Sequence, residues 1–467
     1  MNVDYWLLNQ LATLSKFQFS NEGLAIYDQK LIKLIDKEDI HKSRDRYIYI
    51  PTNFKINCCE KIYKFDFGNT NIKTWNPIDI SSENLKRISS GDVCVWFENE
   101  SGGLIPSWDF WGNMMESLTF REEEGFVSED IHQRFSSKQS YKSEKKLLNV
   151  PILNDFNAVL LDAMQALKFK NKPKFSLKNE WVSPVGLSIS HDIDQLKGND
   201  LFTLLSKVSK IFIAMRKLKF KKIYILLKSL LITLVFPYKF YKGNLQRMIN
   251  LEKKYGFSSN IYFLVGKQGR FGARSKNINI KKFINIIPKN FNVGVHYNYW
   301  SARSVKKIKS EIKIIEKLFS KKVSSGRAHY LAYDALTNPV NIEKCGIELD
   351  ESIGWYDEIG FKAGIAGPFI PWSRQLKREV NVIHNPLTLM DSLCWSKKEE
   401  VVKIIHHLES VGGLITLNCH PDASFFPEVS NSFVTYEKFL MYFAKKKAKN
   451  WSAKEIKKIF NSHANLN

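Results

Sequence analysis

Three ionisable side chains crowd into four residues within Ser190-His191-Asp192-Ile193-Asp194, directly after the apolar run Val185-Gly186-Leu187-Ser188-Ile189. Two carboxylates at i and i+2 repel one another, and each resists leaving water. A fold tolerates such a pair at the mouth of a strand mainly where a cation or a proton is shared between them. A divalent metal held by one Asp, with the other acting as a base toward water, would use both. The plainer reading is a strand-to-loop turn in which Asp192 caps the next helix. Two histidines tilt the balance toward chemistry, because His296 and His420 also sit just beyond apolar runs. Arg327, His329 and Tyr330 fall within four residues of each other. There a guanidinium could keep a carboxylate ionised and an imidazole could ligate metal.

To converge, these residues must leave one end of a common sheet. From Val185 onward apolar runs alternate with amphipathic stretches. The pattern predicts strands over 185–189, 260–265, 292–295 and 413–417, with shorter ones near residues 323, 347, 361 and 380. Helices are predicted over 304–319, near 341 and over 400–408. Such alternation implies a mainly parallel sheet, open or closed, and we expect an α/β barrel. Ligand sites in such barrels form at the carboxyl ends of the strands. Asp192, Asp194, His296 and His420 all fall there.

The 467 residues are comfortable for two or three domains. Residues 1–180 mix short strands, such as 47–51 and 92–97, with polar loops, a helix and charged turn over 108–134, and a helix over 158–168. They read as a smaller α+β domain ahead of a barrel domain, 181–467. In the charged turn, His132 and Arg134 are expected to make structural ion pairs. Within the barrel domain, residues 201–251 read as a helical insertion with eleven Lys/Arg and no Asp or Glu. Its apolar stretch, interrupted by Lys228 and stopped by Pro237, is too short to span a bilayer. It suits an anionic membrane face as well as a hairpin packed on its own domain.

The net charge of +23 attracts anionic surfaces without choosing among them. With no recognised RNA or DNA motif, no nucleic-acid partner is expected. The six cysteines, Cys58, Cys59, Cys94, Cys345, Cys394 and Cys419, show neither Cys-x-x-Cys spacing nor a disulfide framework. The first residues lack the cationic start and apolar core of a secretory signal. Both features lead us to expect a cytoplasmic protein.

Together these segments resemble the polysaccharide deacetylase family, the metal-dependent carbohydrate esterases of family 4, and in particular a branch with an uncharacterised N-terminal domain. The similarity runs over residues 185–425, and residues 108–167 look like the end of the branch's upstream domain. Ser190-His191-Asp192-Ile193-Asp194 resembles the first motif, which implies that Asp192 is the base and Asp194 a metal ligand. Gly294-Val295-His296-Tyr297-Asn298-Tyr299 is similar to the second, making His296 a ligand. Arg327-Ala328-His329-Tyr330 resembles the third, in which Arg327 would steady the base and Tyr330 would offer its backbone N–H to the oxyanion. Asp350-Glu351-Ser352-Ile353-Gly354-Trp355 matches a loop of the branch near the site. Asn418-Cys419-His420-Pro421 stands at the final motif, with His420 as the acid.

Three positions depart from the family pattern. Trp300 stands where a second histidine is usual, His329 replaces a Pro, and Asn418 replaces a Leu that walls the acetyl pocket. The third ligand is expected to be His329, with His191 as the alternative and a weaker, water-filled site as a further one. The resemblance implies a distorted (β/α) barrel of the polysaccharide deacetylase type and a divalent metal, Zn2+ first. The expected activity is removal of acetyl from an acetamido sugar of a surface glycan or its carrier-linked precursor. The expected location is the cytoplasm, peripherally at the inner face of the membrane through 201–251. The alternative is a catalytically degenerate relative that binds glycan without hydrolysing it. A glycosidase would need a second carboxylate farther away, from Asp350 or Asp357.

Overall fold

Two helices with long apolar faces tie the first part of the chain together. Helix Val3–Gln18 buries Trp6, Leu7, Leu11, Leu14 and Phe17, and packs on helix Ile152–Lys168, where Asn157 Nδ2 donates to Gln18 Oε1 (2.8 Å) and Ser15 Oγ (2.9 Å). The computed structural model describes residues 3–52, 62–75, 84–269, 271–421 and 432–464. Among the described residues, seven strands belong to this first part: β1 (Ile32–Asp36), β2 (Ile48–Thr52), β3 (Ile62–Phe67), β4 (Thr70–Trp75), β5 (Lys86–Ser90), β6 (Val93–Glu98) and β7 (Leu104–Pro106). Five form a mixed sheet in the order β1-β2-β7-β6-β5, and β3 and β4 make a separate hairpin. The predicted strands at 47–51 and 92–97 are β2 and β6. The helix of the 108–134 stretch is Phe110–Thr119.

The sheet that positions the site is all parallel. Its strands are β8 (Gly186–Ile193), β9 (Ser259–Leu264), β10 (Asn292–Tyr297), β11 (Ser325–Ala328) and β12 (Leu349–Asp350). After the small hairpin β13 (Trp372–Ser373) and β14 (Arg378–Glu379) come β15 (Ile383–His384), β16 (Leu389–Met390) and β17 (Leu414–Asn418). The order is β15-β12-β11-β10-β9-β8-β17-β16. Among the described residues the two edge strands do not pair with each other, so the fold is an open, distorted (β/α) barrel. The chain between them bridges the gap, with Asn385 N donating to Asp350 O (2.9 Å) and Leu387 N to Ile353 O (2.7 Å).

Burial of Ile189, Ile261, Phe263, Val295 and Leu417 stabilises the sheet by about 1.5–3 kcal/mol per side chain. One apolar cluster runs without a break from Trp6 and Trp96 in the first part to Leu417 in the barrel. The region near residue 361, expected as a strand, has no strand assignment. That near 380 belongs to the β13–β14 hairpin, outside the barrel. The two-residue strands β15 and β16 are too short to leave a periodicity in sequence, so they were missed.

The 201–251 insertion divides. Helices Leu201–Arg216 and Phe220–Val235 form a hairpin with its own small core of Ile211, Ala214 and Leu226. The third helix, Lys239–Lys254, instead buries Tyr241, Leu245, Met248 and Ile249 in the main core as the crossover from β8 to β9. No single helix among the described residues is long and apolar enough to cross a membrane, although Phe220–Val235 and Lys239–Lys254 together, bent by 101°, have the composition for it. Cys94, Cys345, Cys394 and Cys419 are free thiols. Cys58 and Cys59 lie outside the described residues.

Candidate metal centre and active site

Parallel pairing puts the carboxyl ends of the barrel strands on one rim. In register, Ser190 of β8 lies beside Asn418 of β17, Asp192 beside Tyr262 of β9, and His296 of β10 beside Arg327 of β11. The strand period of two sends Asp192 and His191 to opposite faces. Asp192 therefore turns into the site, whereas His191 turns into the packing behind it. There His191 Nε2 meets Glu252 Oε1 at 2.6 Å and its Nδ1 meets Cys419 O at 3.0 Å. Both ring nitrogens are engaged there.

His329 stands instead beside Asp194 and His296. Ligand atoms of Asp194, His296 and His329 lie within 4.8 Å of one another. His296 Nε2 is 3.1 Å and His329 Nε2 is 3.6 Å from Asp194 Oδ1. That oxygen is buried, and these two imidazoles are its neighbours. Neighbouring ligands around a tetrahedral ion with bonds of 2.0–2.1 Å would be about 3.3 Å apart. The outer nitrogens are also fixed. His296 Nδ1 donates to Arg327 O (2.9 Å) and His329 Nδ1 to Phe271 O (3.2 Å). In the neutral rings this leaves the Nε2 lone pairs facing a carboxylate, an arrangement that a cation relieves and that backbone partners commonly enforce around metals. The donor set fits a divalent metal. Trp300, at the place of the usual second histidine, is 41 % exposed and stands under the ammonium of Lys267.

Asp192 is held apart from this group by its own partners. Arg327, fully buried, donates through Nη1 to Asp192 Oδ1 (3.0 Å), through Nη2 to Glu351 Oε2 (3.1 Å) and through Nε to Glu351 O (2.9 Å). Asn418 Nδ2 donates to the other oxygen, Asp192 Oδ2, at 2.7 Å. Burial pushes the Asp192 carboxyl up, but Arg327, then His296 and His420, outweigh it and hold the group below the usual range. Asp194 lies well below that range because His329 and His296 overcome its burial. Burial lowers the two imidazoles as well. Asp192 and Asp194 more than offset this at His296, which is raised, whereas His329 remains lowered.

On the far side of Asp192, His420 Nε2 approaches Asp192 Oδ2 at 3.8 Å. Its Nδ1 donates to Asp391 Oδ1 and its backbone N–H to Asp391 Oδ2, both at 2.9 Å. Burial disfavours the imidazolium, but Asp391 outweighs it and raises His420 well above its ordinary value. Tyr330 closes the ring of residues from the turn after β11, where both it (φ 61°) and Leu331 (φ 52°) adopt left-handed backbone. Such conformations are uncommon for non-glycine residues and concentrate at functional sites. The structure thus brings together Asp192, Asp194, His296, Arg327, His329, Tyr330 and His420.

The sequence matches no family model and no curated protein. In three dimensions the matches include several deacetylases, an allantoinase and a pseudoenzyme. A structure described as a polysaccharide deacetylase from Mycobacterium smegmatis is 10% identical, with 60% of this chain and 91% of that one covered at a TM-score of 0.40. Peptidoglycan deacetylase from Bacillus subtilis is 9% identical, with 62% and 96% covered at 0.28. A pseudoenzyme of carbohydrate esterase family 4 from Bacillus anthracis is 9% identical, with 59% and 66% covered at 0.30. The functional reading rests on this chain's own side chains.

Four partners were not found from sequence. Asp391 follows the two-residue β16, and Glu351 sits in the quoted 350–355 motif without any sign that it shares Arg327. Asn418, noted only for the missing Leu, turns out to hold the base. The fourth is the loop around Arg134, read as a self-contained ion pair. It does pair with Asp130, Nε to Oδ2 at 2.7 Å, but it also reaches the rim, with Nη1 donating to Tyr330 O at 2.8 Å. His132 makes a ring contact there with Tyr330. Of the candidate glycosidase carboxylates, Asp350 accepts from Ser352, and Asp357 from Ser136 and Ser137.

Proposed function

We propose that this chain is a metal-dependent hydrolase that cleaves the amide of an acetamido sugar, with Zn2+ as the ion at Asp194, His296 and His329. The observation that carries the reading is the buried Asp194 Oδ1 facing two imidazoles whose other nitrogens are held by backbone carbonyls, two residues from a carboxylate that a buried arginine keeps ionised. When bound, the ion supplies Lewis acidity to the acetyl carbonyl and lowers the pKa of a neighbouring water. Asp192 takes the proton of that water as its oxygen adds to the carbonyl carbon. The backbone N–H of Tyr330 donates to the oxygen that gains charge. His420, aligned by Asp391, passes its Nε2 proton to the sugar nitrogen as the C–N bond breaks, releasing acetate and a free amine. The proton gained by Asp192 and the one lost by His420 balance over a turnover.

Acetate release from a panel of acetamido-sugar conjugates, with and without chelator, tests the reading. Activity lost to chelator and recovered with zinc supports it. Folded, zinc-loaded protein that releases no acetate from any conjugate sinks it. That result would favour glycan binding without hydrolysis, the reading to which Trp300 in place of a histidine points.

We assign the substrate to a surface glycan or its carrier-linked precursor, met in the cytoplasm at the inner face of the membrane. The support is the hairpin of helices Leu201–Arg216 and Phe220–Val235. Leu201, Leu205, Val208, Phe212 and Met215 are all exposed at i, i+4, i+7, i+11 and i+14, and Phe220, Tyr224, Leu227, Leu231 and Leu234 repeat the spacing on the second helix. Each helix thus carries one apolar stripe in water. Lysines and arginines accompany both stripes and no acid does, which suits an anionic lipid surface and opposes pairing with a second copy. Co-sedimentation with anionic but not zwitterionic vesicles is the expected result, and indifference to both refutes the assignment.

A further inference from the structure

The two consecutive left-handed residues Tyr330 and Leu331 carry no glycine, so their backbone must be held by what surrounds it. The restraint comes from the first part of the chain, from the loop between helices Phe110–Thr119 and Tyr141–Glu144. Arg134 Nη1 donates to Tyr330 O at 2.8 Å. The His132 ring lies flat on the Tyr330 ring, with centroids 4.6 Å apart and planes 11° from parallel. The same imidazole stands edge-on to Phe271 and Tyr299, at 5.2 and 5.3 Å, and Phe271 O is the acceptor that orients His329.

The loop is itself built rigidly. Asp130 receives Arg134 in a two-pronged contact, Nε to Oδ2 (2.7 Å) and Nη2 to Oδ1 (3.1 Å), and also accepts from His132 N (3.1 Å). The Arg134 guanidinium stacks 3.5 Å over Tyr356. Ser136 Oγ donates to Asp357 Oδ2 (2.6 Å), and Arg303 Nη1 to Gln133 Oε1 (3.0 Å). A planar, forked cation shared between a carboxylate, a carbonyl and an aromatic face is a role that lysine fills poorly.

We propose that Arg134 is a positioning residue for the candidate site, and that the loop of residues 127–139 is a working wall of it. Arg134 locks the Tyr330 carbonyl, and through the fixed φ and ψ of that residue the direction of its N–H, while His132 holds the Tyr330 ring. The kinetic part rests on the deacetylase reading above; the structural part stands without it.

The test compares wild type, Arg134→Ala and Arg134→Lys as zinc-loaded full chains. Hydrogen–deuterium exchange is followed in the peptide covering residues 326–333, beside kcat, KM, zinc content and Tm. Arg134→Ala is expected to speed exchange in that peptide while distant barrel peptides and zinc stoichiometry stay as in wild type. It should lower kcat 10- to 100-fold with KM changed less than 3-fold, and Arg134→Lys should recover only part of the loss. Unchanged exchange in 326–333 overturns the proposal. So does a kcat loss that merely tracks lower zinc or a global rise in exchange, because that marks a general stability role. If wild type releases no acetate while Arg134→Ala still shows the local exchange effect, the deacetylase reading falls and the positioning role stands.

Discussion

Replacing Asp391 with Asn isolates the proton that His420 would deliver. Asp391 is fully buried and meets both His420 Nδ1 and the His420 backbone N–H at 2.9 Å, while the imidazole is 19 % exposed. The amide that Asp391→Asn introduces keeps the volume and one acceptor but loses the charge, so either the ring or the peptide N–H loses its partner. A hydrogen bond to a charged group contributes about 1.5–3 kcal/mol. At 1.36 kcal/mol per pKa unit, the imidazolium should lose about one to two units of its upward shift. The sign follows directly. His420 must be protonated to act as the acid, so lowering its pKa moves the alkaline limb of the kcat profile to lower pH. Rates on the acid side should stay close to wild type. The assay is acetate release from pH 5 to pH 10 by zinc-loaded protein, with zinc content and Tm measured in parallel. An alkaline limb within about 0.3 units of wild type, in a variant that folds and holds zinc, would refute the assignment of His420 as acid, because about one unit is the least that loss of the charge should produce.

Three other outcomes follow from the same geometry. Asp194→Ala, His296→Ala and His329→Ala should each abolish stoichiometric zinc by direct metal analysis, whereas Asp192→Asn should retain zinc and lose at least about 100-fold in kcat, since a general base contributes about 100- to 10,000-fold. Trp300→Ala should leave zinc stoichiometry unchanged, because the half-exposed indole has no lone pair to offer a metal; zinc loss in this variant would reinstate position 300 as part of the centre. His191→Ala should leave Glu252 buried without its ring partner and destabilise the fold by about 3–5 kcal/mol in denaturant titration. Zinc binding measured below the unfolding transition should persist, and its loss would restore His191 as a ligand.

The chain order of apolar runs and polar exits was enough to determine the parallel sheet and the rim on which Asp192, Asp194, His296 and His420 meet. A strand's period of two and the one-way sense of parallel crossovers are local rules, so they are written in consecutive residues. What the sequence left open was decided by distance through space. Which of His329 and His191 stands beside Asp194 and His296 depended on packing, and Glu252, which lies 61 residues from His191, meets its Nε2. The holding of Asp192 by Asn418, 226 residues away, and of Tyr330 by Arg134, 196 residues away, has no periodic signature. Such contacts arise only when packing brings separate loops to one rim, and burial then makes each unpaired charge or donor costly enough to fix its partner.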